Sequence, residues 1–276
     1  MISQKKEIEK LHEYKEAFEE QKLELTKSIR YAQNIQKAIF PPEYQFRNIF
    51  EHSFILFKPK EWVSGDFYWV RQMKDKIIVA AGDCTGHGVP GAFMSILGII
   101  FLNEITNYEP LMPSNKILNS LRERIMKTLN QTGEESEQKD GMDIALFVYD
   151  KNEKTLDFSG ANNTLYYYRE QKLSEIKGDR MPIGVNGVTE ESFQRQTINI
   201  QNGDQIYLFT DGFVDQFGGE NSEKFKYKRF RKILSDIQPY NFSKQQNILE
   251  QTFYDWKGNN EQVDDILLIG VGFHNI

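Results

Sequence analysis

Residues 76–106 read KIIVAAGDCTGHGVPGAFMSILGIIFLNEIT. The first six residues, mostly β-branched or small and apolar, have the pattern of a buried strand. At 82–88 the run breaks into Gly82-Asp83-Cys84-Thr85-Gly86-His87-Gly88, a glycine-rich turn with an acid near its start. From 90 to 106 apolar residues then resume at helical spacing. A strand that delivers an aspartate into a tight turn, followed by a helix, is the unit around which the rest is read. Outward from it, strand-like runs recur at 53–58, 66–71, 144–149, 155–158, 164–169, 193–200, 205–209 and 266–273, most of them bounded by Gly, Asn or Asp. Further helical stretches lie at 114–130, 226–237 and 243–256. Helices that come in pairs between groups of strands predict a layered α+β domain, whereas strict alternation would predict a parallel, doubly wound sheet. The polar, acidic residues 131–140 are expected to form a mobile loop.

The first forty residues have a different character. They are rich in Glu, Lys and Gln, and contain neither Gly nor Pro before Pro41-Pro42, which ends them. They read as one long helix, so the chain divides into a helical, coiled-coil-like linker at 1–42 and a globular domain at 43–276. Leu11, Phe18, Leu25, Ala32 and Ile39 recur every seven residues, with Ile8 and Ile29 on the same stripe. Lys15, Lys22 and Gln36 interrupt that stripe. Two readings stand: a homodimeric coiled coil, or an amphipathic helix packed on its own domain.

Composition narrows the function. The formal charge of −6 over 276 residues, with Lys and Arg scattered, offers no basic field for nucleic acid. A single cysteine, Cys84, cannot form an internal disulfide and fits a reducing compartment. The most apolar run, 93–102, is about half of the ~20 residues that a membrane-spanning helix needs, and no apolar signal core opens the chain. The expectation is a cytoplasmic protein, or the cytoplasmic end of a longer one, with no membrane span of its own.

Four places put an aspartate at the end of a strand-like run, next to glycine or another acid: Ser64-Gly65-Asp66, Gly82-Asp83, Thr210-Asp211-Gly212 and Val263-Asp264-Asp265. Any one alone reads as readily as a turn or a helix cap. Several together, with no basic residue close in sequence to pair with them, suggest a hard divalent cation, because an unpaired buried carboxylate costs several kcal/mol or titrates to neutral. Oxygen ligands favour Mg²⁺ or Mn²⁺, and the chain lacks the cysteines or close histidine pair that zinc prefers.

Taken in order, VSGDF at 63–67, GDCTGHGVPG at 82–91, YLFTDGFV at 207–214 and QVDDILL at 262–268 resemble the motifs of the metal-dependent protein phosphatases of type 2C, in particular the bacterial SpoIIE- and RsbU-like branch. The resemblance covers about 54–273. Residues 29–42, IRYAQNIQKAIFPP, are similar to the helix that joins a sensor to the phosphatase in that branch. It implies a layered α-β-β-α sandwich of two mainly antiparallel sheets flanked by helices and preceded by the long N-terminal helix. It also implies two Mn²⁺ or Mg²⁺ ions, bridged by Asp83 and completed by the Cys84 carbonyl, Asp66, Asp211 and Asp264. Gly65, Gly86, Gly212 and Asp265 would support that shell, and Asp143 matches a polar position near it. His87 would hold a tight turn rather than act as general acid. Type 2C enzymes carry an arginine ahead of the first motif; here Lys58 or Lys60 stands there, to meet the substrate phosphate or simply to be solvated.

The implied chemistry is hydrolysis of phosphoserine or phosphothreonine on a regulatory protein, such as an anti-sigma-factor antagonist, by metal-activated water and with no cysteine nucleophile. The helices after the second motif would form a switch biased by a dimeric linker and an upstream sensor. Deletion of 1–40 would then change activity more than metal affinity. The rival readings are an inactive phosphoprotein-binding adaptor, a metal-dependent nuclease or cyclase, and a purely structural coiled coil. The four acidic motifs weigh against the first and last, and the charge and the absence of a nucleotide-cradling loop against the second.

Overall fold

The computed structural model describes residues 2–108, 112–131, 139–185 and 191–274, with side chains from residue 10 onward. The chain opens with helix α1 (Ile2–Ile39) and a short α2 (Glu43–Ile49), then β1 (Ser53–Lys58), β2 (Phe67–Met73) and β3 (Lys76–Cys84). Helices α3 (Gly88–Tyr108) and α4 (Ser114–Thr128) follow, and then β4 (Met142–Asp150), β5 (Thr155–Ala161), β6 (Thr164–Arg169), β7 (Lys172–Lys177), β8 (Gln196–Asn199) and β9 (Gln205–Phe209). The last part comprises α5 (Gly212–Asp215), the two-residue strands β10 (Phe217–Gly218) and β11 (Glu223–Lys224), α6 (Lys226–Ile237), α7 (Phe242–Lys257) and β12 (Ile266–Gly272). The paired helices fall where expected, and α2, α5, β7, β10 and β11 are additional. Most of the stretch expected to be a mobile loop, 132–138, lies outside the described residues.

Two five-stranded antiparallel sheets stack face to face, one ordered β1-β12-β9-β6-β7 and the other β2-β3-β4-β5-β8. Alternation along each strand sends neighbours to opposite faces. In β1, Phe54 and Leu56 join α6 and α7 through Phe230, Leu234 and Phe253, while Ile55 points into the core between the sheets. In β12, Ile266 and Leu268 face the helices, and Leu267 and Ile269 face inward. Ile117, Leu118 and Leu121 of α4, with Ile99 and Leu102 of α3, cover the other sheet. The result is the α-β-β-α layering that the resemblance implied. At 21 residues α3 is long and apolar enough to cross a bilayer, yet half of it is buried here against α1, α4 and the sheet, as befits a core helix.

Helix α1 changes character along its length. Leu11, Phe18 and Leu25 are 71, 63 and 62% exposed; Ile8 lies outside the residues whose side chains are described. Further along, Thr26, Ile29, Ala32, Gln33, Gln36, Ile39 and Phe40 are partly or fully buried at helical spacing, on the globular body. Phe40 packs edge-on against Tyr68 at 5.6 Å and beside Phe57 at 5.6 Å. The body therefore takes in the end of α1.

Candidate metal centre

Strand β3 lies between β2 and β4, and the register brings Gly82 opposite Phe67 and Asp83 opposite Asp143. Asp66, just ahead of β2, therefore stands at the same sheet end as Asp83 and Asp143. In the facing sheet β9 pairs with β12, Phe209 opposite Leu268, so Asp211 just past β9 lies near Asp264 and Asp265 just before β12. Close approach of β3 to β9 and β12 across the sandwich joins the two ends. Residues separated by as much as 198 positions, Asp66 and Asp264, reach one place because antiparallel pairing puts a strand's start beside its neighbour's finish.

Asp83, Asp143, Asp211 and Asp264 line one pocket of about 330 Å³, together with Cys84, Thr85, Gly86 and His87. Asp66 sits behind it, 2% exposed, accepting a hydrogen bond from Thr210 Oγ1 at 2.6 Å. Asp265, also buried, uses both oxygens on backbone amides: Oδ1 accepts from Lys60 N at 2.7 Å and Oδ2 from Gly65 N at 2.8 Å. It fastens the 60–65 loop beneath the pocket. A Cβ on Gly212 would stand 1.9 Å from the Asp265 carbonyl oxygen, so only glycine fits there. Gly86 and Gly88, at φ +84° and +66°, make the turn that carries His87. The His87 Nδ1 is hydrogen-bonded to Glu61 Oε1 at 2.6 Å, and Asn162 Nδ2 donates to Asp143 Oδ1 at 2.8 Å.

The electrostatics are unfavourable without a cation. Burial, then repulsion from Asp211, Asp264 and Asp143, pushes the Asp83 carboxyl up to about 8. Asp66 is raised by burial and by Asp83, against the Thr210 hydrogen bond that lowers it. Asp211, at the pocket's exposed rim, is pushed up to about 6 by the partial burial of its carboxyl and by Asp264. Asp143 is raised by burial, with the Asn162 hydrogen bond acting against it. The Cys84 thiol is held well above its usual range by burial and by Asp83, which keeps it neutral. Among the described residues no three His, Cys, Asp or Glu side chains form a ready-made cage. The carboxylates instead line the walls of an open pocket, near enough to oppose one another's ionisation. An all-oxygen, mutually repelling donor set fits hard divalent cations, whose charge reverses that penalty.

The two lysines singled out from the sequence do not line this pocket. The Lys58 amine is paired with Glu250 and donates to the Tyr254 hydroxyl at 3.0 Å, both on α7. Lys60 supplies its backbone amide to Asp265. β1 carries Lys58 toward the outer helix, which sets its amine apart from the role expected of it at the substrate phosphate. Sequence reasoning missed Lys139 and Pro182, which do line the pocket. No local pattern marks them, because each lies in an irregular segment. It also missed Gln36. The amide of Gln36, 5% exposed, donates to the Ser64 carbonyl at 2.6 Å and to Ser95 Oγ at 3.0 Å, and accepts from Ser64 N at 3.1 Å.

Comparison with known proteins agrees with this architecture. The family profile of stage II sporulation protein E (SpoIIE) matches residues 73–274. The chain is similar to the PP2C domain of SiaA from Pseudomonas aeruginosa, at 31% identity and a TM-score of 0.81 over 91% of this chain and 97% of that one. It is also similar to the PP2C phosphatase domain, with a fragment of the regulatory domain, of the cell fate determinant SpoIIE from Bacillus subtilis, at 17% identity and a TM-score of 0.66 over 81% and 63% of the two chains. Among curated proteins it is 22% identical over 201 residues to phosphoserine phosphatase RsbU of Bacillus subtilis (strain 168), covering 70% of this chain. The chain spans about half, 55%, of that relative's length.

Proposed function

The chain belongs to the SpoIIE family, and on that premise we propose that it is a Mn²⁺- or Mg²⁺-dependent protein phosphatase that hydrolyses phosphoserine or phosphothreonine on a partner regulatory protein. The observation that carries this reading is the convergence of Asp83, Asp143, Asp211 and Asp264 on one pocket where burial and mutual repulsion oppose their ionisation. Asp83, Asp211 and Asp264, with the Cys84 carbonyl and with Asp66 behind them, would hold two ions. Divalent cations bound there supply Lewis-acid stabilisation of phosphoryl charge and a water of lowered pKa. The chain's own part is positional. Thr210 orients Asp66, Asp265 fixes the 60–65 loop, and Glu61 steadies His87 at the rim. The buried, neutral Cys84 thiol is unsuited to nucleophilic attack and contributes through its backbone. The rim is open enough for a phosphorylated side chain presented by another protein, such as an anti-sigma-factor antagonist, and a lone cysteine suits a cytoplasmic setting.

Regulation would enter through α1. Its exposed seam at Leu11, Phe18 and Leu25 is the surface on which we place a homodimer contact, downstream of a sensor. The same helix reaches the pocket through Gln36, which clamps Ser64 one residue from Gly65 and two from Asp66, and touches Ser95 of α3. Arg30 adds a second link, its guanidinium lying 4.5 Å over the Trp62 ring of the same loop. A change in how α1 pairs would thus bear on Asp66 and α3 together.

The test is hydrolysis of p-nitrophenyl phosphate and of a phosphoserine peptide with Mn²⁺ or Mg²⁺. Activity lost in EDTA and in Asp83→Asn is expected. Absence of turnover with either ion, alongside retained binding of phosphoprotein, would leave the adaptor reading instead.

A further inference from the structure

We infer that Lys139 is the group that receives the substrate's phosphate at the mouth of the acidic pocket, an inference that rests on the phosphatase reading. The pocket walls present carboxylates, and a phosphomonoester arrives with a charge of about −1.5 to −2. A site for that ligand needs positive charge that the protein itself directs toward it. Among the described residues lining the pocket, Lys139 is the one Lys or Arg. Two nearby alternatives are committed elsewhere. Lys58 is held by Glu250 and Tyr254, and the His87 imidazole is hydrogen-bonded to the Glu61 carboxylate.

The backbone beside Lys139 is fixed rather than free. Buried Gln131, three residues past α4, donates from Nε2 to the Asp140 carbonyl at 2.6 Å, and its Oε1 accepts from Val185 N at 3.0 Å. Thr85, next to the Cys84 carbonyl, takes hold of Gly141 from both sides: its amide donates to Gly141 O at 3.0 Å, and its hydroxyl accepts from Gly141 N at 3.1 Å. The base of Lys139 is thereby tied to the strand end that carries Asp83 and to the turn that carries Pro182. Its own side chain is exposed. A long stem on a fixed base, ending in a mobile point charge, suits an anion that must be drawn in and later released.

The experiment uses the full chain loaded with Mn²⁺, as wild type and as Lys139→Ala, Lys139→Arg and Lys139→Glu. KM and kcat are measured on a phosphoserine peptide, and inorganic phosphate serves as the binding probe, read as an inhibition constant and as a thermal shift. Lys139→Ala is expected to raise KM and the inhibition constant in parallel, about tenfold each, the scale of one charge-assisted contact, with kcat within about threefold. Arg should recover most of the loss and Glu should exceed Ala, while the stabilisation by Mn²⁺ alone stays at the wild-type value. Unchanged KM and phosphate binding in Lys139→Ala overturns the inference and marks an ordinary solvated lysine. So does a loss of Mn²⁺ stabilisation, which would make the residue a support of the metal site. Failure of the wild type to turn over any phosphoester would sink the phosphatase reading separately, because weakened phosphate binding in Lys139→Ala would still be seen.

Discussion

Strands β3, β4 and β12 each run from one pocket to another, and the two pockets are almost equal in size, about 330 and 310 Å³. At one end stand Asp83, Asp143 and Asp264. At the other stand Ile77, Tyr149 and Gly272, capped by Phe273, whose ring lies 4.8 Å from Tyr149 and 6.1 Å from Phe50. The aromatic end is mutually supportive packing of the kind that stabilises a fold. The acidic end is the reverse: buried like charges that oppose folding until something cancels them. One sandwich thus holds a region shaped for stability and a region shaped for a ligand, on the same strands. Local conflict of this kind is what a functional site in a stable scaffold looks like.

The widest separation between the two ends should come from one substitution at each. Asp83→Asn is expected to reduce hydrolysis to background, and to raise the stability of the metal-free protein by a few kcal/mol at pH 8, because it removes a strongly opposed charge. Thermal unfolding in EDTA reads the second effect as an increase of about 5 °C or more. Phe273→Ala should do the opposite. It should cost about 3–5 kcal/mol as a cavity opens beside Phe50 and Tyr149, and leave kcat per folded molecule within about twofold. A stable Phe273→Ala, or an Asp83→Asn that is destabilised in EDTA, would erase the contrast.

Acidity provides the next test. The folded-state values of Asp83, about 8, and Asp211, about 6, both lie above the ordinary carboxylate value of about 4. The folded, metal-free protein therefore holds more protons than the unfolded chain across that range, and its stability falls as pH rises. Both groups contribute between about pH 4 and 6, and Asp83 continues the decline to about 8, with Asp66, which burial also raises, acting in the same direction. In EDTA the melting temperature is expected to drop from pH 5 to pH 8. Excess Mn²⁺ should stabilise more at pH 8 than at pH 5, since cation and proton compete for the same oxygens. Parallel curves with and without metal would show that the carboxylates do not face the ion.

Much of this contrast was legible in the sequence, for a physical reason. Buried strands are runs of β-branched and aromatic residues, so an Asp beside Gly or another acid at 82–83, 210–212 or 264–265 marks where a strand enters or leaves the core. What the sequence did not show depended on partners far along the chain. Lys58 ends a strand at a plausible distance from the acids, and only β1's pairing with β12 and the position of α7 turn its amine toward Glu250. Strand β7 escaped notice because Lys172–Lys177 is a polar edge strand without strong alternation. Gln36 is the most instructive case. As a polar interruption of the heptad it counted against the seam, whereas in the fold it is a buried amide with its oxygen and nitrogen both engaged on Ser64. A polar residue on an apolar stripe can be a defect or a specific lock, and only its partners decide which.

That lock allows the comparison to be extended along α1, where the expected effects are smaller. Gln36→Ala would leave the buried Ser64 amide without its partner and the Ser64 carbonyl with the Ser95 hydroxyl alone, costing about 1–3 kcal/mol and loosening the segment that positions Asp66. The Mn²⁺ concentration needed for half-maximal activity should rise several-fold. Removal of residues 2–25 takes away only the exposed part of the seam among side chains that are described, and leaves Gln36 and Phe40 in place. The truncated chain should melt within about 2 °C of the full one when both are monomeric, since exposed positions contribute little. It should also lose self-association, as read by sedimentation, and change its turnover without changing its Mn²⁺ affinity. Deletion through residue 40 mixes the two effects, because it extracts Gln36 and Phe40 from the body as well. If the shorter truncation already shifted Mn²⁺ affinity as far as Gln36→Ala does, the two parts of α1 could not be acting separately, and the helix would have to be treated as one element from its exposed seam to its buried lock.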